Sequence, residues 1–223
     1  MIKPSPWMDR LAFLFSVIVI GAAATWIIQN GLFSPALSQS DNWAWYVIRA
    51  SGLTAYILLT VSILWGMALS SKIFKNWSPG PLSMVLHSGL SWIALAFAAL
   101  HALLLIVDKY VPYQLSEILI PFIGPYRPLA VGLGTIAFWV VLVVTLSFSL
   151  KKRIGHRVWK WIHFTSYLAF VMVTVHGLTA GTDASRLGVR LMLVAAVALV
   201  SAFVFVRVAR RDQKGAHSTR AEA

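Results

Sequence analysis

Long unbroken apolar runs, separated by short segments that hold nearly all of the charge, set the pattern of this chain. Six such runs, at 11–32, 45–69, 82–107, 129–150, 158–178 and 187–208, each reach the roughly 20 residues that an α-helix needs to cross about 30 Å of hydrocarbon. None alternates with a period of two. Because every backbone polar group in lipid must be satisfied within its own segment unless strands close into a barrel, the runs predict helices. The expected fold class is an all-α integral membrane protein, a six-transmembrane-helix bundle.

Between the third and fourth runs lies the longest loop, 108–128, with Pro112, Pro121, Pro125 and Pro128 and the tyrosines Tyr110, Tyr113 and Tyr126. Its apolar middle, 118–123, is too short to span and is expected to lie at the interface as a lid. The first run has a second reading. Lys3 and Arg10 precede it and Ala22-Ala23-Ala24 resembles the small-residue cleavage site of a secretory signal, but the run continues to Leu32, longer than a signal core requires, so an uncleaved helix is expected. No internal repeat is visible in residue identities. The expected organisation is one six-helix membrane domain, 1–206, followed by a basic cytoplasmic tail, 207–223.

Composition agrees: 59% of residues are hydrophobic and 12% charged, with a mean hydropathy of +0.77, too little polar surface for a soluble domain of this length. The net charge of +12 is mostly topology. Fourteen of the nineteen lysines and arginines fall at one set of helix ends, including Lys3, Arg10, Lys72, Lys75 and the run Lys151-Lys152-Arg153. By the positive-inside rule those ends, and both termini, are expected to be cytoplasmic in a multi-pass protein of the cell's inner membrane. A nucleic-acid partner would need a soluble basic face, and the pattern offers none, so the lipid bilayer is the expected surroundings. The absence of cysteine excludes iron–sulfur clusters, thiolate-ligated haem and disulfides.

Four histidines stand inside these apolar runs, where an imidazole is costly unless it lines a cavity, finds a partner or binds a metal. His87 and His101 are 14 residues apart on the third span; His163 and His176 are 13 apart on the fifth. Both spans run in the same direction, and the two spacings correspond to about 21 and about 20 Å of helix. His87 and His163 therefore share one depth, and His101 and His176 the other. Each level suits one haem sandwiched between helices 3 and 5, with an imidazole on each axial face and no open position on the iron. The angles are less regular, because 13 residues at about 100° each bring His176 out on a different flank from His163. His156 and His217, set among basic residues, read as solvated. Trp92, Phe97, Tyr167 and Phe170 read as packing between the levels, and Trp43, Trp45, Trp77 and Trp159 as interfacial belt residues.

These histidines, with Arg49-Ala50-Ser51-Gly52-Leu53 opening the second span, resemble the ferric reductase-like transmembrane domain shared by ferric reductases and NADPH oxidases. The stretch from Tyr126-Arg127-Pro128-Leu129, through Lys152-Arg153-Ile154-Gly155-His156-Arg157-Val158-Trp159-Lys160-Trp161-Ile162-His163, to His176 also resembles the haem-binding membrane subunit of the bacterial methionine sulfoxide reductase system. The resemblance covers most of the chain, 45–177. It implies transmembrane electron transfer through two haem b groups, His87 with His163 holding the inner one and His101 with His176 the outer one. It further implies an oxidoreductase component, a membrane cytochrome b, that needs a partner reductase. The donor would be a cytoplasmic flavin reductase or quinol, with flavin (FMN or FAD) on that partner or at the cytoplasmic face. The acceptor lies on the outer side.

The chain departs from that family in two respects. NADPH oxidases carry a flavin and nicotinamide module after the last helix, where a short tail stands here. They also place a further histidine one turn beyond the outer ligand of span three, where this chain has Leu105; dedicated superoxide production is not expected. Arg49, near the outer end of its span, is a candidate partner for the outer haem's propionates, a bidentate contact suited to guanidinium, or snorkels to the headgroups. Arg127 is a weaker cofactor-binding candidate. A second expectation is a haem membrane subunit passing electrons from quinol or reduced flavin to a periplasmic reductase, an acceptor protein. A membrane transporter is disfavoured because all seven acidic residues fall in loops or at ends, leaving no intramembrane carboxylate for a proton relay.

Overall fold

In a computed structural model, which describes residues 42–71 and 80–221 with side chains as far as Ala209, every regular element is helical. In chain order these are α1 (Trp43–Ser70), α2 (Gly80–Leu103), α3 (Leu115–Leu119), α4 (Pro128–Ile154), α5 (His156–Thr179) and α6 (Leu187–Ala221). Five of them, all but α3, are long and apolar enough to cross a membrane. They match the second to sixth expected spans within a few residues. The expected first span, 11–32, lies outside the described residues, as do Lys72, Lys75 and Trp77. The last helix does not stop at the basic tail, which continues α6 to Ala221.

The helices pair as two antiparallel hairpins, α1 with α2 and α4 with α5, and α6 packs on α1. Gly155 alone links α4 to α5. Its φ of +81° is a conformation that only glycine adopts without strain, and its N–H caps Lys151 O while its carbonyl accepts from Trp159 N–H. Tyr56, Ile63 and Met67 of α1, Phe170 of α5, and Leu193, Ala196 and Val200 of α6 form the buried core, where the Tyr56 and Phe170 rings stack at 5.8 Å. Large apolar side chains also face outward, among them Trp161 at 72% exposure and Phe205 at 73%. Such faces suit lipid, not water.

Residues 108–128 fold over one end of the bundle. A 3-10 turn, Leu104–Val107, ends α2, and Asp108 Oδ2 accepts from Val111 N–H to turn the chain. The segment covers that end as a lid, with α3 at its centre. Trp139 of α4 donates to Leu119 O, and a Cβ on Gly132 would collide with the Phe122 ring. Tyr113 is buried and donates to Tyr126 O; burial pushes its phenol above the ordinary tyrosine range.

Candidate functional site: two facing histidine pairs

The structure brings the four intramembrane histidines together as two pairs. His87 faces His163 with ring centroids 6.1 Å apart and planes inclined at 75°; His101 faces His176 at 6.2 Å and 79°. With a metal–imidazole bond of about 2 Å, two imidazoles on opposite sides of one metal ion put their ring centres about 6 Å apart. Both pairs have that spacing. Elsewhere α2 and α5 lack the close backbone packing found inside each hairpin, so the rings meet across a gap.

Backbone carbonyls fix three of the rings. His101 Nδ1 lies 2.8 Å from Ile48 O, His87 Nδ1 3.0 Å from Ser62 O, and His176 Nδ1 2.9 Å from Ala130 O. A carbonyl only accepts, so each Nδ1 carries the proton and each Nε2 keeps its lone pair, the tautomer of a metal-ligating histidine. Four residues beyond each carbonyl stands a glycine. A Cβ on Gly52 would come within 2.8 Å of His101 Nδ1, one on Gly66 within 2.9 Å of His87 Cε1, and one on Gly134 within 2.8 Å of His176 Nδ1. The absent side chain is what lets each ring reach the carbonyl of the neighbouring helix.

The two hairpins therefore repeat one device. Gly52 and Gly66 are 14 residues apart on α1, as are His87 and His101 on α2. On α4 and α5 the matching positions are Gly134 and Ser147, 13 apart like His163 and His176. Ser147 is buried, and the antiparallel register places it opposite His163. His163 departs from the pattern: its ring stacks on Trp159, 5.1 Å away and inclined at 20°. That difference accounts for the irregular angle on α5, because His176 leans on α4 while His163 leans on its own preceding turn.

A cavity of about 510 Å³ opens at the His101/His176 level, lined by both of those rings, Gly52, Leu105 and Gly134, and closed by the lid through Tyr110, Tyr113 and Tyr126. Arg49 reaches it but does not stand free. Its Nε and Nη2 donate to the two carboxylate oxygens of Asp183, and its guanidinium lies 3.9 Å over the Trp45 ring. Arg186 is the second partner of Asp183, at 3.0 Å. Neither snorkelling nor a free guanidinium describes Arg49. Arg127 is not among the residues of this cavity: held at φ +40° as the N-cap of α4, it donates to Thr179 O at the end of α5. It lines a neighbouring cavity with Arg190.

Each facing pair fits the two-imidazole ligand set that a haem iron takes. Among the described residues no three His, Cys, Asp or Glu side chains converge as a metal site, whereas an iron held by a macrocycle needs only two axial imidazoles. Trp159, expected in the interfacial belt, also belongs to the site: its Nε1 is buried and has no hydrogen-bond partner among the described residues.

Sequence reasoning missed Gly52, Gly66, Gly134, Asp183 and this role of Trp159. The equal spacing of Gly52–Gly66 and His87–His101 was the available signal for the glycines. Asp183 gave none, since a buried loop carboxylate looks like any other loop residue. No known protein family, no curated protein and no solved structure matches the chain.

Proposed function

We propose that the chain relays single electrons across a membrane through two b-type haems, each held by one imidazole from α2 and one from α5, in the manner of a ferric reductase-like transmembrane domain. The observation that supports this reading is the double pairing of His87 with His163 and His101 with His176 at spacings suited to one iron each. A bis-imidazole haem supplies one-electron redox chemistry at an iron with no open position. The protein's own part is to hold the ligands. Carbonyls of Ile48, Ser62 and Ala130 keep three Nε2 atoms unprotonated, glycines admit the rings, and apolar walls exclude water.

Direction follows from charge. Lys151, Lys152, Arg153, Arg157 and Lys160 cluster at the end of the bundle nearest His163, so the positive-inside rule makes that end cytoplasmic and the lid external. On this reading the chain has six spans with both termini inside and lies in the cell's inner membrane. A separate flavin reductase or quinol feeds the His87/His163 level, and an external acceptor draws on the His101/His176 level, past Leu105.

Haem content tests the reading. The purified chain should carry about two haems, and His101→Ala should remove about one while leaving the other low-spin. With ring planes crossed at 75° and 79°, a ferric haem held by either pair would give a strongly anisotropic low-spin EPR signal. A chain that takes up no haem, or a His101→Ala variant that keeps both, refutes it.

A further inference from the structure

Trp159 stands where the symmetry of the two hairpins fails. Its indole stacks on His163, the ammonium of Lys151 on α4 lies 3.9 Å from its ring centre, and an edge of Phe148 and the tilted ring of His156 close around it. Among the described residues its buried Nε1 has no hydrogen-bond partner. A buried indole N–H is an oriented donor that ordinarily has a partner, and an orphan of this kind calls for an acceptor from outside the described residues.

The charges around it say which kind. Lys151 adds a positive charge at the indole, and among the described residues it meets no carboxylate; the described acidic side chains, Asp108, Glu117 and Asp183, belong to the opposite end of the bundle. An anionic oxygen would satisfy the donor and the ammonium together through a charge-assisted hydrogen bond.

We propose that Trp159 is a binding residue of the inner site, its Nε1–H donating a hydrogen bond to a propionate carboxylate of the haem held by His87 and His163. The proposal rests on the two-haem reading above. It gives Trp159 two separable functions: the ring steadies His163, which lacks the glycine and carbonyl clamp of the other three, and the N–H anchors the carboxylate.

The test separates them on the full-length chain in detergent, with His101→Ala and His176→Ala combined so that only the inner level binds. The apoprotein is titrated with haem and with haem dimethyl ester, whose propionates carry no charge, and the Soret band is followed. With Trp159 present, haem should bind about tenfold more tightly than the diester, the range expected when an outer partner of a ligand set is lost. Trp159→Phe keeps a stacked ring without the N–H and should lose most of that preference, leaving the smaller part that the Lys151 charge supplies. Equal affinity for haem and diester with Trp159 intact overturns the proposal, as does a Trp159→Phe variant that still prefers haem tenfold. Failure of the Trp159 parent to bind either form overturns the two-haem reading itself.

Discussion

At the residue scale, the glycines beside the histidines are positions where the usual effect of a substitution reverses. Alanine favours a helix interior over glycine by about 1 kcal/mol, a gain that the loss of the His176–Ala130 hydrogen bond, about 0.5–1.5 kcal/mol, roughly offsets, so Gly134→Ala should leave the apoprotein's Tm nearly unchanged. Its Cβ, however, would come within 2.8 Å of His176 Nδ1, closer than the ring can tolerate. The ring must leave Ala130 O, and on the two-haem reading the outer haem would then lose an oriented ligand. Haem content should fall from about two to about one per chain, read by haem quantification alongside apoprotein unfolding. Gly89→Ala on α2, where a Cβ meets nothing within 4 Å, should gain the same helix stability and keep both haems. Equal haem content in the two variants would show that the His176 ring shifts without loss.

At the element scale, the helices were legible because hydropathy alone sets a membrane helix, and the depths of the histidines were legible because rise per residue is constant. Ring direction was not. It depends on which neighbour offers a carbonyl and which offers a gap, as Ala130 and Gly134 do for His176 and as Trp159 replaces them for His163. The tie between α1 and the loop before α6 was equally hidden, because Arg49 and Asp183 are 134 residues apart. Arg49→Leu leaves a mostly buried carboxylate with Arg186 alone, so stability should fall by about 1–3 kcal/mol, less than the roughly 3–5 kcal/mol of a fully orphaned buried charge. The unbalanced Asp183 charge should also lower the potential of the proposed outer haem. Adding Asp183→Asn removes that charge and should restore most of both, as measured by thermal unfolding and a redox titration that resolves the two haems. A potential that stays low in the double variant would mean that Arg49 acts on the propionates directly.

At the scale of the whole molecule, the two ends of the bundle differ in kind, and the difference gives the proposed relay its direction. The Gly155 end carries the basic run of Lys151, Lys152 and Arg153 on α4 and Arg157 and Lys160 on α5, and its histidine level lies next to Trp159 and Lys151. The other end is roofed by 108–128, which Trp139 ties to α4 and whose two halves Tyr113 joins through Tyr126 O. On the proposed reading, an acidic donor flavoprotein would be drawn to the first end by charge, and the lid would keep a bulky donor from the outer level. The 223 residues contain no glycine-rich nucleotide loop, so the haem-loaded chain alone should not oxidise NADPH. In vesicles sorted for orientation, NADPH with a flavin reductase should reduce the haems when supplied at the basic face, and an impermeant ferric chelate at the lid face should then sustain turnover. Added salt should slow the first step by screening the docking charges over about 8–10 Å at physiological ionic strength. Stopped-flow spectra from each face decide the matter: reduction that is as fast from the lid face, or NADPH oxidation by the chain alone, would remove the polarity from the proposal.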